Sequence, residues 1–493
     1  MTLSVVLIHC CLNILWTKPG LCDNVQNKKV LLICPHSVFE PFKRSKIGIA
    51  VAKMPFLSLA SLAAPLITAG HEVKILDLSV SEKPEKDLED ALRAFSPDFV
   101  GITCTTPLFS EMVYISKFVK NFNKEIIVIT GGPHPSTMPE DTLKVSACDI
   151  AVVGEGDYTL PEIVSGKDWK DIKGMAFRHK EGVIVNERKP PIANLDELLM
   201  PAWHLYDLKK YKTPRLTCKK NPVGPMESSR GCVFGCIYCN KSVFGRTFRP
   251  KSVKRVVDEI EHVLNSGFKE IHIMDDGFTT DMKRAEEICD EIKKRGLDFP
   301  WNLVNGIRVD RINETLLHKM RSAGCYRASV GVESGDQSIL NRINKGTTLE
   351  QIRAAFNMFK SAGMETLGFF MIALPGDTEE TMRKTIDFAK ELQPDIAKVS
   401  ITVPFPGTPL YNEYDKLGLI KTKDWSKYGY HDPRGLYTHP NLDWDTIYKY
   451  QKMFFREVYL NPSYIARRFL RGIKTGELLY DMYYFLKSLE YGW

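Results

Sequence analysis

Three cysteines lie within eight residues of the segment RGCVFGCIYCN, which spans residues 230–240. Cys232, Cys236 and Cys239 have C-x3-C-x2-C spacing, which suits thiolates that bind one metal centre. Thiolate ligands select zinc or an iron–sulfur cluster. The other cysteines of the chain show no regular spacing of a secreted disulfide framework. The triplet therefore predicts metal ligation in a reducing compartment.

The number of thiolates leaves two kinds of site open. A structural zinc site is tetrahedral and needs a fourth protein ligand, which Cys218 or His272 could supply. Three thiolates alone would instead hold a [4Fe–4S] cluster with one iron open to a substrate. The triplet follows the first strand of a predicted βα series, where the active sites of barrels lie. This position favours a functional cluster over structural zinc.

The elements before the triplet form a repeating strand–helix pattern from Lys29 onward. Short continuous apolar runs are typical of strands that are buried on both faces of a parallel sheet. Together with the helices between them, they predict a doubly wound α/β domain. The predicted strands span 30–34, 73–79, 98–104, 125–130 and 149–154, and the predicted helices span 56–69, 84–95, 106–122 and a short stretch after Pro139.

Ligands of such sheets bind at the carboxyl ends of the strands. Those ends carry the segments ITCTTP (102–107), TGGPHP (130–135) and VGEGD (153–157). Their glycines would let a ligand approach the backbone closely. Taken alone, the three segments are equally well explained as the tight turns that every such fold needs.

A second βα series starts at Met226, and its six units predict a partial barrel. Its strands are expected over 226–229, 270–274, 301–304, 327–332, 366–373 and 397–402. A hairpin over 174–188 precedes it, and a helical tail rich in basic and aromatic residues follows it. We divide the chain into an N-terminal arm, a doubly wound domain, a linker with the hairpin, a partial barrel and a helical C-terminal region, at 1–28, 29–165, 166–222, 223–425 and 426–493.

Composition narrows the class of protein. A formal net charge of +7 over 493 residues, without a long Lys/Arg block, suits an anionic cofactor or substrate and does not indicate nucleic acid. No run of about 20 apolar residues predicts a membrane-spanning helix. The apolar segment 3–16 lacks a basic n-region and a clean cleavage site, which favours a loose arm or an upstream start codon over a secretory signal. We therefore expect a cytoplasmic protein.

The segment CVFGCIYC at the start of a partial barrel resembles the signature of the radical S-adenosylmethionine (SAM) superfamily. The resemblance implies that the three cysteines hold a [4Fe–4S] cluster whose fourth iron is chelated by SAM. One electron would then cleave SAM to methionine and a 5′-deoxyadenosyl radical, which abstracts hydrogen from an unactivated carbon. A fourth protein ligand would close that iron, so neither Cys218 nor His272 is expected to bind metal.

The resemblance implies roles for residues beside the cysteines. Tyr238 is similar to the aromatic residue that packs on the adenine of SAM, although a core tyrosine is the alternative explanation. Asp275 and Asp276 lie where the superfamily often has a glycine-rich stretch that holds the SAM amino group. They resemble the cobalamin-dependent branch at this position and are expected to contact SAM.

The segment SVGVESG (329–335) resembles the glycine–glutamate strand of the same branch. The resemblance implies that Gly331 and Glu333 border SAM, with Glu333 on its ribose or methionine part. The alternative explanation is a buried ion pair between Glu333 and Arg308 or Arg327.

The N-terminal α/β domain looks like the cobalamin-binding module of B12-dependent radical SAM enzymes. The chain lacks the Asp-x-His-x-x-Gly motif whose histidine coordinates cobalt in other B12 proteins, and His134 has the wrong neighbours for it. Such enzymes commonly lack the motif and bind cobalamin without a histidine on cobalt. The residues expected near cobalamin are Thr103, Thr105, Thr106, Gly131, Gly132, His134, Gly154 and Gly156.

The combined resemblance predicts a cobalamin-dependent radical SAM enzyme, specifically a C-methyltransferase. One SAM would methylate cob(I)alamin, a second would give the radical, and the substrate radical would take the methyl group from methylcobalamin. The alternatives are a radical cyclisation or oxidation of the anaerobic magnesium-protoporphyrin cyclase type, and a methylthiotransferase with a second cluster at Cys34, Cys104 and Cys148. A cobalamin sensor without turnover is the alternative from another class.

The expected partners follow from this chemistry. An external electron donor such as flavodoxin or ferredoxin would reduce the cluster, and the substrate would be a small or lipid-like molecule. The aromatic and basic tail (443–493) is expected to pack against the barrel, with peripheral contact to a lipid surface as the alternative.

Overall fold

The computed structural model describes residues 27–36, 52–429 and 433–490. The expectations for the segment 3–16 lie outside these ranges. Within them, no helix combines the length and the apolar character needed to cross a membrane.

A seven-stranded sheet forms the N-terminal domain. Its strands are β1 (Lys29–Cys34), β2 (Glu72–Asp77), β3 (Phe99–Thr103), β4 (Ile127–Gly131), β5 (Ile150–Val152), β6 (Met175–His179) and β7 (Gly182–Val185). They lie in the order β2-β1-β3-β4-β5-β6-β7, with β1 to β5 parallel. Val30 and Leu31 on β1 belong to different apolar clusters, so this strand is buried on both faces. The predicted doubly wound domain is confirmed.

The hairpin of β6 and β7 adds two antiparallel strands to this sheet. Ala176 pairs with Ala151 of β5 on one side and with Val185 on the other. The hairpin that the sequence suggested within a linker therefore extends the edge of the N-terminal sheet. Helices of this domain are α1 (Leu57–Thr68), α2 (Pro84–Phe95), α3 (Phe109–Phe122), α4 (Pro133–Thr137), α5 (Pro139–Val145) and α6 (Thr159–Val164).

Six parallel strands form the predicted partial barrel, in the order β15-β14-β13-β12-β11-β8. They are β8 (Val223–Met226), β11 (Glu270–Ile273), β12 (Trp301–Ile307), β13 (Cys325–Glu333), β14 (Glu365–Ile372) and β15 (Ile396–Ile401), while β9 (Ser229–Arg230) and β10 (Arg249–Pro250) form a separate ribbon. The first barrel strand lies three residues before its predicted start at Met226. Gly224 and Pro225, which disfavour strands, concealed it in the sequence.

Amphipathic helices cover the outside of the barrel. In α7, the buried residues Val256, Val257, Ile260 and Val263 lie on the face that packs against the sheet, and Ser252 caps the helix by accepting from the Arg255 amide. The barrel helices are α7 (Val253–Asn265), α8 (Met282–Lys294), α9 (Glu314–Ser322), α10 (Gln337–Arg342), α11 (Leu349–Ser361), α12 (Glu379–Leu392) and α13 (Pro409–Lys416).

The C-terminal region is helical, as predicted, with α14 (Trp444–Tyr459), α15 (Pro462–Thr475) and α16 (Leu478–Glu490). Helix α14 contributes Ile447, Tyr450 and Phe454 to the barrel core. The Tyr459 hydroxyl donates to the carbonyl of Ala397 at 2.6 Å and accepts from its amide at 3.1 Å. Helix α14 therefore covers the edge strand β15 of the barrel sheet.

Candidate functional site

The cysteine loop (residues 231–248) is closed at its base by the antiparallel ribbon of β9 and β10, in which Arg230 pairs with Arg249. Gly231 lies in the left-handed region at φ +83°. A Cβ atom at this position would overlap the carbonyl of Thr247. The loop therefore needs glycine directly before its first cysteine.

Hydrogen bonds hold the cysteine loop from three sides. The Ile237 amide donates to the carbonyl of Ile343 in the barrel at 3.1 Å, and the Ile237 carbonyl accepts from the amide of Leu410 at 2.9 Å. From the N-terminal domain, Thr137 Oγ1 accepts from Asn240 Nδ2 at 3.1 Å. The loop thus lies between the carboxyl ends of the N-terminal sheet and those of the barrel.

The three cysteines of the loop are the accessible ones among the nine cysteines that the structure describes. Cys232 and Cys236 are half-buried and Cys239 is exposed, and all nine are free thiols. The Cys239 thiol itself sits in a recess, where burial raises its pKa to about 11 together with the neighbouring Cys232 and Cys236. The buried ones are Cys34, Cys104, Cys148, Cys218, Cys289 and Cys325.

The three thiols of the cysteine loop are not a ligand set for one metal ion. Across residues 27–36, 52–429 and 433–490, no three His, Cys, Asp or Glu side chains are grouped closely enough for a single metal ion. In an iron–sulfur cluster each cysteine binds a different iron, so the three thiolates need not meet at one metal ion. The donor set of three accessible thiols therefore fits an iron–sulfur cluster.

The candidates for a fourth ligand have partners elsewhere. The Cys218 thiol is buried and donates to the carbonyl of Thr213 at 3.3 Å. His272 Nε2 lies 2.9 Å from the carboxylate of Glu270, the first residue of β11. Both lie toward the amino-terminal ends of the barrel strands, away from the cysteine loop. That neither residue binds metal stays a prediction.

The two aspartates after β11 support the base of the cysteine loop. Asp275 is buried and accepts hydrogen bonds from the amide and hydroxyl of Ser228, both at 2.5 Å, and from the hydroxyl of Ser229 at 2.7 Å. Asp276 is exposed and accepts from the Gly231 amide. Asp275 uses its oxygens on the protein itself, whereas Asp276 lies at the rim of the loop.

Glu333 connects the cysteine loop to the barrel. Its carboxylate accepts from Lys345 Nζ at 2.7 Å, with both side chains under 10% exposed. The Tyr238 hydroxyl also donates to Glu333, and burial, with that nearby charge, raises the pKa of Tyr238. A Cβ at Gly331 would lie 2.6 Å from Lys345 Nζ. The structure therefore brings the predicted residues Tyr238, Gly331 and Glu333 together.

The buried partner of Glu333 is neither of the two arginines considered from the sequence. Arg308 Nε donates to Asp310 at 2.8 Å. Arg327 Nη2 donates to Glu365 at 2.6 Å. Lys345 takes their place because the turn after α10 brings it back over β13, a long-range contact that no local pattern indicates.

The residues expected near cobalamin lie at the adjoining ends of β3, β4 and β5. The Cys104 amide donates to the carbonyl of Gly131 at 2.8 Å, and the Gly154 amide donates to Ser136 Oγ at 3.0 Å. A Cβ at Gly132, whose φ is +113°, would lie 2.7 Å from the Cys104 carbonyl. Gly154 and Gly156 follow the neighbouring strand β5. The other residues expected near cobalamin lie in the two turns after β3 and β4, or at the ends of those strands: Thr103, Thr105, Thr106, Gly131, Gly132 and His134.

His134 is buried beneath these turns rather than exposed at the strand ends. Its Nδ1 lies 3.0 Å from Thr106 Oγ1, and its ring contacts Phe109 and Trp425. Burial lowers the pKa of His134 to about 4, so the ring is neutral at physiological pH. Nε2 is buried, and no hydrogen-bond partner for it exists among the described residues. His134 is therefore a packed side chain under the turns, and its contact with cobalamin stays a prediction.

Comparison with known proteins decides the family. Residues 226–389 match the family model of the radical SAM superfamily, and residues 48–164 match that of the B12 binding domain. A protein of Pyrococcus horikoshii described as an uncharacterised methyltransferase is 33% identical over 461 residues, which cover 90% of this chain and 98% of that protein. The chain belongs to the cobalamin-dependent radical SAM enzymes. The matches confirm the predicted cofactor set of [4Fe–4S] cluster, SAM and cobalamin.

Two further relatives place this radical SAM enzyme more closely. The anaerobic magnesium-protoporphyrin IX monomethyl ester cyclase of Rubrivivax gelatinosus is 30% identical, over 76% of this chain and 68% of the cyclase. The radical SAM methyltransferase TsrM of Kitasatospora setae has a TM-score of 0.66 at 21% identity, over 80% of this chain and 77% of that chain. The structural likeness supports the arrangement of the two domains, and the alternatives in chemistry lie within one family.

Sequence reasoning missed four charged residues at the junction of the domains. Glu155 and Asp157, in the VGEGD segment, meet Arg230 and Arg249 at the base of the cysteine loop. The VGEGD segment was interpreted through its glycines alone. The one available signal is Arg230, a charge two residues before Cys232.

Proposed function

We propose that this enzyme transfers a methyl group from cobalamin to an unactivated carbon of a small-molecule substrate. The observation that carries the proposal is the cysteine loop with its three accessible thiols, which is hydrogen-bonded to the B12-binding domain just after β4. The Asn240–Thr137 hydrogen bond joins the two directly. The methyltransferase description of the Pyrococcus relative, which aligns over nearly its whole length, supports the same reaction.

The roles of the chain's own residues follow from the site. Cys232, Cys236 and Cys239 would hold the cluster, and Tyr238 and Glu333 would border SAM beside it. Cluster, SAM and cobalamin supply the hydrogen-abstracting radical and the methyl group when bound. The protein orients them, and the ammonium of Lys345 holds the Glu333 carboxylate in place at the wall of the site.

We expect S-adenosylhomocysteine and 5′-deoxyadenosine to form in equal amounts during turnover, because each methyl transfer consumes one SAM as methyl donor and one as radical source. Chromatography of the reaction mixture with the reduced, anaerobically reconstituted protein measures both products. Deoxyadenosine alone, with a substrate consumed, would refute methyl transfer and leave a radical reaction.

That second outcome would favour a cyclase-type reaction. The cyclase of Rubrivivax gelatinosus aligns over most of both chains and supports it as the second candidate. If the protein loaded with cluster and cobalamin forms no deoxyadenosine, that result would support the cobalamin sensor.

An external one-electron donor such as flavodoxin or ferredoxin would serve either radical reaction. The free thiols of the described cysteines support a location in the reducing cytoplasm.

The C-terminal hairpin of α15 and α16 supports contact with a lipid surface or a lipid-like substrate. Leu470, Ile473 and Leu479 are 58–77% exposed, on neighbouring faces of the two helices. An exposed apolar patch of this kind marks an interaction site, and the cation of Lys474 beside it would favour anionic lipid. Helix α14 packs into the barrel core, as the sequence predicts for the tail, and the lipid contact of α15 and α16 stays a proposal.

We expect the protein to co-sediment with vesicles that contain about 30% anionic phospholipid, because burial of apolar side chains and attraction of basic side chains to anionic headgroups both favour binding. Replacing Leu470 and Leu479 with glutamate should reduce the bound fraction about tenfold. Truncation at residue 443 is unsuitable, because it would also expose the barrel core under α14. Equal sedimentation of the wild type and this variant would contradict the lipid contact.

A further inference from the structure

A buried carboxylate of the B12-binding domain joins the two ends of the cysteine loop. Arg230 and Arg249 pair with each other across the ribbon of β9 and β10. Arg230 Nη1 donates to Glu155 Oε1 at 3.1 Å, and Arg249 Nη1 lies 3.0 and 2.9 Å from the two oxygens of Glu155. The three side chains are only 5–7% exposed. Glu155 thus compensates two neighbouring positive charges that would otherwise repel each other away from water.

Glu155 is itself held in place by its own domain. The loop that carries it follows β5, and the Gly154 amide donates to Ser136 Oγ at 3.0 Å. The second oxygen of Glu155 accepts from the amide of Ile192 at 2.7 Å. Asp157, two residues further, accepts from both Nη atoms of Arg230 at 2.9 and 3.1 Å. The bridge therefore has a fixed anchor on the cobalamin side.

Other bonds of the two arginines reach the cysteine loop and the residue that follows β8, the first strand of the barrel. Arg249 Nη2 donates to the carbonyl of Phe244 within the loop at 3.0 Å, and the guanidinium of Arg230 lies 5.1 Å from the Phe244 ring. Arg230 Nε donates to Glu227, which follows β8, at 2.7 Å. A substitution of Glu155 would therefore change the contacts that hold the cysteine loop.

We propose that Glu155 is a positioning residue, which sets the geometry of the cysteine loop from the B12-binding domain. Docking of the domains and closure of the loop are then one interaction. The expected effect on catalysis rests on the proposed function, because a methyl donor, a radical source and a substrate must then be held in one arrangement. Misplacement by about 1 Å can cost on the order of a hundredfold in rate.

The direct test uses the full chain before cluster loading. In Glu155→Gln, amides of residues 231–248 should exchange hydrogen about tenfold faster than in the wild type, because the loop loses a charge-assisted bridge. Glu365→Gln is the matched control. Glu365 also accepts from two arginines, Arg327 and Arg471, but at the amino-terminal ends of the barrel strands. Its substitution should leave exchange in 231–248 unchanged.

The loaded enzyme gives the second measurement. Glu155→Gln should form deoxyadenosine about ten- to a hundredfold more slowly at saturating SAM, with an altered electron paramagnetic resonance spectrum of the reduced cluster in the presence of SAM. Glu365→Gln should match the wild type in both. If Glu155→Gln does not fold, Asp157→Asn, which weakens the same bridge at Arg230, should show a smaller change of the same kind.

The outcomes separate the inference from the proposed function. Unchanged exchange and cleavage in Glu155→Gln would overturn the positioning role, and so would equal effects of Glu155→Gln and Glu365→Gln, which would indicate a general loss of stability. A wild type that forms no deoxyadenosine would overturn the proposed function instead, while the exchange comparison would still decide the role of Glu155.

Discussion

Replacing Cys236 with alanine is expected to abolish deoxyadenosine formation while cobalamin remains bound. Two thiolates cannot hold a four-iron cluster that already leaves one iron to SAM, so the radical source is lost. The residues expected near cobalamin lie at the carboxyl ends of β3, β4 and β5 in the other domain and do not depend on this thiol. Iron content, cobalamin absorbance and chromatography of deoxyadenosine measure the three consequences on one preparation.

Cys218→Ala is the matched control for this substitution. Cys218 is the buried thiol that could have closed a four-ligand site, and its hydrogen bond to the Thr213 carbonyl explains its burial without metal. Its replacement should cost about 1 kcal/mol of stability and leave iron and SAM cleavage intact. Loss of iron in both variants would indicate a closed metal site. Retained cluster and cleavage in Cys236→Ala would place the cluster elsewhere.

The sequence predicted those elements whose signal is local. Continuous apolar runs such as VLLIC in β1 are long enough to identify a strand that is buried on both faces, and the order of such strands fixes a doubly wound sheet. The first barrel strand was misplaced by three residues because its burial comes from Val223 and Met226 around a Gly-Pro pair. Tertiary contacts, rather than propensity, hold that strand in the sheet.

Partners across the site could not be predicted in the same way. The pairing of Glu333 with Lys345 depends on the path of the chain through α10, and the sequence offered two arginines that are equally plausible by type. The bridge from Glu155 to Arg230 and Arg249 joins residues 75 and 94 positions apart. The charges in the sequence identify which residues can form an ion pair, whereas the fold decides which of them do.

The same contrast explains why the cysteines were found and their surroundings were not. A cluster motif is compact because three thiolates must reach one inorganic core, so its spacing survives in the sequence. The groups that orient it come from separate elements, as Asn240 and Thr137 do across the domain junction. Second partners of this kind carry much of a site's geometry and leave no spacing to detect.

Glu333→Ala is expected to have the second-largest effect, on both stability and SAM binding. It would leave the Lys345 ammonium buried without its partner, which costs about 3–5 kcal/mol. It would also remove the acceptor of the Tyr238 hydroxyl beside the cysteine loop. If Glu333 contacts SAM, its loss should raise the KM for SAM about ten- to a hundredfold, the range of one charge-assisted hydrogen bond.

A double substitution separates the two effects, because they depend on different partners. Adding Lys345→Met to Glu333→Ala removes the uncompensated charge and should recover most of the lost stability in thermal unfolding. The raised KM for SAM should persist, since the carboxylate that borders SAM is still missing. Recovery of both stability and KM in the double variant would contradict a SAM contact and leave Glu333 as a structural partner of Lys345. Persistence of the KM defect alone would assign Glu333 to SAM. Glu333 is the last residue of β13 and lies in the left-handed region at φ +65°.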